Sequence, residues 1–152
     1  MADVVFRRAE SGDLEAIVAL LADDPIGRER ENPEALAETA YAEAFAAIER
    51  DPCHLLAVAE RGGNIIGVLQ LSFIPGLTRQ GMWRGQVEGV RVASDQRGSG
   101  VGRAMLDWAI GECRKRGCGL VQLTSDKRRA GAHAFYEALG FQATHEGYKL
   151  AL

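Results

Sequence analysis

The sequence predicts one mixed α/β domain, and three observations lead to this fold class. The chain has 152 residues, the usual length of one domain and enough to bury a core without disulfides or metals. The first half carries helix signals followed by hairpin-forming strand signals. The second half carries a strand, a glycine-rich turn and a helix. No linker, repeat or low-complexity segment interrupts them, so we expect a single domain over residues 1–152.

The first half contains a short strand, two amphipathic helices and three longer strand segments. Asp13 can cap the first helix, and Pro33 suits the first turn of the second. The run Arg61-Gly62-Gly63-Asn64 is typical of a hairpin, so the strands on either side of it should be antiparallel. The predicted elements are a strand over Val4–Arg8, helices over Asp13–Leu21 and Pro33–Arg50, and strands over His54–Glu60, Asn64–Phe73 and Met82–Val92.

The second half opens with a polar, glycine-rich turn that leads directly into a long helix. Apolar residues then recur at helical spacing, and Gly117 and Gly140 end the two helices of this half. The predicted elements are a helix ending near Arg116, a strand over Leu120–Thr124, a helix over Ala130–Leu139, and short strands over Phe141–Ala143 and Tyr148–Leu152.

Composition excludes several classes of partner. The formal net charge is -3, whereas nucleic acids and anionic membranes attract strongly basic proteins, so we expect neither as a partner. The three cysteines, Cys53, Cys113 and Cys118, match no zinc spacing, no other metal set is visible, and free thiols are typical of a reducing compartment. The first residues lack the pattern of a secretory signal, and no apolar run could span a bilayer. We therefore expect a cytoplasmic location.

The turn over residues 97–102 is a candidate phosphate site. Glycines let backbone N–H groups converge on one point, and the dipole of the following helix adds positive potential there. A P-loop needs a lysine where Arg103 stands, and the dinucleotide fingerprint needs a glycine at Arg103 or Met105, so neither motif is present. On the turn alone, a tight turn that binds no ligand is an equally good interpretation.

Two runs together resemble those of a known family. The run Arg97-x-x-Gly100-x-Gly102, after a valine-rich strand, resembles the acetyl-CoA pyrophosphate loop of the Gcn5-related N-acetyltransferases, the GNAT family. The run from Ala132 to Phe141 resembles the second hallmark of that family. They lie in the family's order, separated by one helix and one strand. The order of elements matches along nearly the whole chain, although the N-terminal helices match only in type.

The resemblance implies a GNAT-like fold and acetyl-CoA as the acyl donor. This fold is a mixed central sheet flanked by helices, with antiparallel N-terminal strands and parallel strands four and five that splay apart. The pantetheine arm of the donor lies in the gap along strand four, and amides of the turn hold the pyrophosphate. The residues expected to bind the donor are Val90, Arg91, Val92, Arg97, Gly98, Ser99, Gly100, Val101, Gly102, Arg103, Arg129 and Phe135. Phe135 is interpreted equally as a core aromatic side chain.

The resemblance also implies the catalytic groups of an N-acetyltransferase. Tyr136 is expected to protonate the departing thiolate, since a phenol keeps its proton at neutral pH. Glu88, on strand four, is the candidate base that deprotonates the amine, directly or through water. An ion pair between Glu88 and Arg84 or Arg91 is an alternative that stays open. Gly89, next to Glu88, predicts a bulge where the two strands part.

The acceptor is expected to be a small primary amine. Arg79 and Arg84 flank Trp83 in the segment from Pro75 to Gly85, and they would suit an acceptor with an anionic group. Arg129 stands where many relatives carry an asparagine, so Arg129, with Lys127 and Arg128, is expected to meet the donor's phosphates instead. A solvated basic turn is the alternative interpretation, and it suits at least two of the three better. A homodimer is a further expectation. The alternative function is a non-catalytic module that binds or senses acyl-CoA.

Overall fold

A five-stranded sheet forms the centre of the computed structural model, which describes residues 3–35 and 39–152. The strands lie in chain order, β1 to β5. Neighbours are antiparallel from β1 to β4, and β4 pairs with β5 in parallel. The predicted mixed α/β fold is therefore confirmed. The strands are β1 Val5–Arg8, β2 His54–Arg61, β3 Asn64–Ile74, β4 Arg84–Val92 and β5 Leu120–Leu123.

Helices cover both faces of the sheet, because side chains of each strand alternate between the two faces. On β3, Val68 joins a buried cluster with Ile17, Leu20 and Phe45 of the first two helices. Leu69 joins a larger cluster on the opposite face with side chains of the third helix. No helix within the described part of the chain is long and apolar enough to cross a membrane. The helices are α1 Leu14–Ala22, α2 Thr39–Arg50, α3 Val101–Lys115 and α4 Ala130–Ala138.

The predicted second helix is shorter than its sequence pattern. Pro33–Ala35 forms one turn of 3-10 helix, and the regular helix begins at Thr39. Leu36, which falls within the predicted helix over Pro33–Arg50, lies outside the described residues. A separate turn at Thr78–Gly81 is left-handed, with φ of 55° at Arg79 and 62° at Gln80.

The two predicted strands after α4 were wrong. Neither Phe141–Ala143 nor Tyr148–Leu152 is in a strand in the described chain. Alternating apolar residues specify which side chains share a face, but a strand also needs a neighbour for its backbone hydrogen bonds. Among the residues that the structure describes, 141–152 have no such neighbour.

A β-bulge at Gly89 shapes β4. Glu88 pairs with Gln70 and Arg91 with Val68, so Gly89 and Val90 together oppose the single residue between those partners. Gly89 has φ of 62°, the left-handed region that glycine tolerates best, and the predicted bulge is confirmed. The extra residue moves Val90 to the α3 face of the sheet and gives Arg91 the same face as Glu88.

The two parallel strands separate just before the bulge. Their pairing runs from Arg84 with Leu120 to Val87 with Leu123 and ends there. Beyond Val87, β4 continues beside β3 alone as far as Val92. The predicted splay of strands four and five is therefore present.

Replacing Gly89 tests whether its backbone conformation stabilises the fold. A β-carbon there would have room, with Leu21 Cδ2 3.8 Å away, so the cost of a side chain is conformational. We expect Gly89→Ala to lower the free energy of unfolding by about 1 kcal/mol, as a left-handed L-residue does. Gly89→Asn is the matched control and should cost less, because asparagine adopts this conformation more readily. Urea unfolding of the three proteins measures both, and equal losses would contradict the role of φ.

Candidate active site

The candidate site lies where β4 and β5 part. The free edge of β4 offers two backbone carbonyls, and both accept hydrogen bonds from arginine side chains. Arg91 Nη1 donates to the Val90 carbonyl at 2.8 Å, and Arg97 Nε donates to the Val92 carbonyl at 3.3 Å. This edge therefore carries polar backbone groups that pair with no strand, which is what an extended amide-containing ligand needs.

The glycine-rich turn presents backbone donors at the start of α3. Gly98 and Gly100 have φ of 78° and 89°. A β-carbon at either position would meet open space, so the left-handed backbone, and not lack of room, is the reason for these glycines. The first bond that closes a helical turn runs from the Ala104 N–H to the Gly100 carbonyl, at 3.0 Å. The N–H groups of residues 101–103 precede it and have no acceptor within the helix, so they can bind an anion.

Most side chains of this turn contact other residues of the protein. Val101 is buried, so only its amide can reach a ligand. Arg103 lies 3.9 Å from Asp107, and Arg97 Nη2 donates to the Asp23 carbonyl at 2.8 Å. Gly102 lies against Phe135, whose ring would be 3.5 Å from a β-carbon at that position. Phe135 thus belongs to the packing of the α3 face.

Asp24, just after α1, holds two arginines at the site. Its carboxylate lies 2.8 Å from Arg91 Nε and 3.1 Å from Arg129 Nη2, and it accepts N–H bonds from Ile26 and Gly27. Burial raises the pKa of this carboxyl, but the Gly27 amide and the two guanidinium groups outweigh that effect and leave the pKa below its ordinary value. Asp24 is therefore ionised at neutral pH, and one carboxylate is shared by two cations.

Tyr136 lies on α4 among aromatic side chains. Its ring centroid is 5.2 Å from that of Phe135 and 5.9 Å from that of Phe141. Burial raises the pKa of Tyr136, and the charges of Arg91 and Arg129 oppose part of that increase. The phenol thus keeps its proton at neutral pH beside two positive charges.

Glu88 is exposed on β4, immediately before the bulge. It forms no hydrogen bond or ion pair with another side chain in the described part of the protein. Among the described residues, Glu88 pairs with neither Arg84 nor Arg91, the two partners that the sequence left open. Arg91 pairs with Asp24 instead. The Glu88 carboxylate is free to meet a ligand on the face that also carries Arg91.

The segment between β5 and α4 forms a compact polar cluster. Asp126 accepts hydrogen bonds from the side chains of Arg128 and Arg30, which lower the pKa of its carboxyl, Arg128 first. His133 Nε2 lies 3.0 Å from the backbone carbonyl of Asp126. Arg129 follows directly and reaches Asp24 instead of this cluster.

The two arginines predicted to bind the acceptor lie elsewhere. Arg84 begins β4, five residues before Gly89, a separation of about 17 Å along an extended strand. Arg79 lies further back, on the exposed left-handed turn. The cations next to Tyr136 are Arg91 and Arg129.

Sequence reasoning assigned no role to Asp24. A local signal was available, because an Asp whose side chain binds N–H groups two and three residues later is a common turn. Its two ion pairs had no signal, since they join positions 67 and 105 residues away along the chain.

Comparisons with known proteins agree with the fold and with the family resemblance of the runs at residues 97–102 and 132–141. A family model described as the acetyltransferase (GNAT) family matches residues 14–141. The aminoalkylphosphonate N-acetyltransferase of Salmonella typhimurium (strain LT2) is 31% identical over 113 residues, 74% of this chain and 73% of that enzyme. The glucosamine 6-phosphate N-acetyltransferase of Trypanosoma brucei brucei is 36% identical over 90 residues, 59% of each chain.

Among solved structures, one described as a transcriptional regulator from Bacillus halodurans C-125 is 48% identical. It superposes with a TM-score of 0.96 and covers 99% of this chain and 100% of its own. Both curated relatives are acetyltransferases, which favours catalysis over a non-catalytic acyl-CoA module.

Neutralising Asp24 should destabilise the protein. Asp24→Asn keeps the shape of the side chain but leaves two arginines without their anion, and we expect a loss of about 3 kcal/mol at pH 7. Because the pKa of Asp24 is lowered in the folded state, this stabilisation is present above the ordinary value of 3.8 and is lost as the pH falls through the folded-state pKa. Urea unfolding at several pH values should therefore show the difference between the two proteins shrinking in acid. A difference that stays constant down to pH 2 would contradict the assignment.

Proposed function

This chain belongs to the acetyltransferase (GNAT) family and is an N-acetyltransferase, and we propose that its acceptor is a small amine with a phosphonate or phosphate group. The observation that carries this proposal is the charge beside Tyr136, where two guanidinium groups share the single carboxylate of Asp24. One positive charge is left over next to the proposed acid. By their names, the Salmonella and Trypanosoma relatives act on amines that carry phosphorus-based anions.

Acetyl-CoA is the proposed donor, and the residues at the splay fit it. The amides of residues 101–103 and the positive end of α3 suit its pyrophosphate. The Val90 and Val92 carbonyls suit the amides of its pantetheine arm, once the side chains of Arg91 and Arg97 release them. Arg129 is better suited to the acceptor than to the donor's phosphates, because it pairs with Asp24 and its charge acts on the Tyr136 phenol.

The proposed reaction is direct attack on the thioester. Glu88 takes a proton from the acceptor amine, directly or through a water molecule, and the amine nitrogen forms a bond to the acetyl carbonyl carbon. The carbon–sulfur bond then breaks, and the thiolate takes the hydroxyl proton of Tyr136. Two features support these roles: the free, exposed Glu88 and the raised pKa of the Tyr136 phenol.

The acceptor's anion is proposed to bind Arg129. About a quarter of this side chain is exposed, whereas Arg91 is more deeply covered. A guanidinium already oriented by a carboxylate can still offer its remaining N–H groups to a phosphonate. The acceptor amine would then lie between Arg129 and Glu88, next to the thioester.

We also propose that residues 1–152 act as one catalytic domain, in the cytoplasm and as a homodimer. The described free thiols, such as buried Cys113, are suited to a reducing compartment. Exposed apolar side chains late in the chain, such as Leu150, support association with a second copy.

Removing the Tyr136 hydroxyl should slow turnover without weakening donor binding. We expect Tyr136→Phe to lower kcat about 100-fold, the usual contribution of a general acid, with an unchanged Kd for acetyl-CoA. The pKa of Tyr136 lies above its ordinary value of 10.0. Deprotonation of its hydroxyl should therefore not slow the wild-type enzyme below pH 10. Thiol release and calorimetry measure the two quantities. Tyr148→Phe, at an exposed tyrosine, is the control, and a fully active Tyr136→Phe would remove the proposed role.

The acceptor class is tested with paired amines. We expect kcat/KM for an aminoalkylphosphonate to exceed that for the amino alcohol of equal length by roughly tenfold or more, the effect of one charge-assisted hydrogen bond. Arg129→Gln should abolish most of this preference, whereas Arg79→Gln, an exposed arginine before β4, should retain it. Equal use of both amines by the wild-type enzyme would rule out the anionic acceptor and leave the transferase activity standing.

A further inference from the structure

Four neighbouring strands place one polar side chain each at the same level on the α1 face of the sheet. Backbone pairing aligns Ser72 of β3 with Gln86 of β4, and Gln86 with Gln122 of β5. On the other side of Ser72, the same pairing aligns His54 of β2 with it. Side chains of residues aligned in this way lie next to each other on one face. We call His54, Ser72, Gln86 and Gln122 the polar row.

The adjacent row on the opposite face of the sheet is apolar throughout. Leu55, Leu71, Val87 and Leu123 are aligned across the same four strands, and all four pack in the α3 core. On the α1 face, the strand residues of the apolar cluster come from β2 and β3. A polar side chain on the sheet adds nothing to an apolar core and loses hydration where it is covered. Core packing therefore does not explain the polar row.

Hydrogen bonds within the polar row fix its side chains and leave two amide atoms unused. Gln122 Nε2 donates to Gln86 Oε1 at 2.7 Å, and His54 Nδ1 lies 2.9 Å from Ser72 Oγ. Among the described residues, Gln86 Nε2 and Gln122 Oε1 form no hydrogen bond, and neither atom is sealed from solvent. The two glutamines thus offer one oriented donor and one oriented acceptor. A neutral hydroxyl or amide group can use both at once.

The two glutamines lie on one side of the proposed base, and the arginines lie on the other. Glu88 follows Gln86 by two residues on the same face of β4, a distance of about 7 Å along the strand. Arg91 has this face as well but stands beyond the bulge, where Asp24 pairs with both Arg91 and Arg129. Along β4 the order is therefore neutral amides, carboxylate and guanidinium groups.

We propose that the acceptor carries a neutral hydroxyl or amide group in addition to its anion, and that Gln86 and Gln122 bind this neutral group. The inference rests on the proposed function and deepens it, because it assigns a second substituent of the acceptor. The anion binds at Arg129, the amine faces Glu88, and the neutral group lies against the two glutamines. The amine of the acceptor therefore stands between its anionic group and its neutral polar group.

Two acceptors that differ by one hydroxyl test this assignment. The first is an α-aminopropylphosphonate, and the second is the same molecule with a terminal hydroxyl, so that its amine stands between phosphonate and hydroxyl. We expect kcat/KM of the wild type, measured by thiol release, to be roughly tenfold higher for the hydroxylated amine, the effect of one hydrogen bond. Equal values would overturn the role of the glutamines and leave both the transferase activity and its anionic acceptor standing.

Replacing both glutamines together assigns the preference to them. The double variant Gln86→Leu with Gln122→Leu removes both partners of one hydrogen bond, which costs a fold little when the shapes are similar. The ratio of the two kcat/KM values should fall to about one, whereas purely structural damage would lower both values and keep their ratio. Gln142→Leu, at an exposed glutamine after α4, is the control and should keep the wild-type ratio. A ratio that survives in the double variant would overturn the assignment.

Nuclear magnetic resonance tests the same contact without turnover. The side-chain amide signals of Gln86 and Gln122, assigned by their loss in the double variant, should shift with the hydroxylated amine and much less with the plain one. Signals that stay in place, or that shift equally with both amines, would overturn the proposal. Absence of thiol release with either amine would instead contradict the acceptor class of the proposed function, and a selective shift would then still support the contact with the glutamines.

Discussion

The arrangement of the site depends on one extra residue in β4. The bulge at Gly89 ends the regular alternation of the strand and turns Val90 toward α3 and Arg91 toward α1. Because β4 and β5 stop pairing at Val87, the backbone beyond it is left open to a ligand. Glycine tolerates the positive φ there best, so a local conformational constraint sets the position of the arginine that reaches Asp24.

Electrostatics then decide which chemistry the gap can support. One carboxylate, Asp24, holds two guanidinium groups beside a phenol whose pKa is raised by burial. The phenol keeps its proton because desolvation outweighs the two cations, and the surplus positive charge is suited to an anionic acceptor. Glu88 lies directly before the bulge and forms no ion pair with a described side chain. The proposed acid, Tyr136, and the proposed base, Glu88, therefore lie on different elements, α4 and β4.

The packing of α4 determines the surroundings of the proposed acid. The ring of Tyr136 lies 5.2 Å from that of Phe135 and 5.9 Å from that of Phe141. The Phe141 N–H also donates to the Tyr136 carbonyl at 3.1 Å. These neighbours cover the phenol, and burial is what raises its pKa.

The sequence by itself determined the helices and most strands, the glycine-rich turn, the bulge at Gly89 and the family. Each of these depends on local properties: side-chain periodicity, a positive φ, or residues close together in one run. Only the tertiary structure decided which charges meet. Arg91 and Arg129 reach Asp24 from positions 67 and 105 residues away along the chain. The tertiary structure also shows that Tyr148–Leu152 pairs with no described strand, although its alternating side chains predict a strand. Ion pairs and strand pairing join residues that are distant along the chain, so their partners are fixed by packing and not by local sequence.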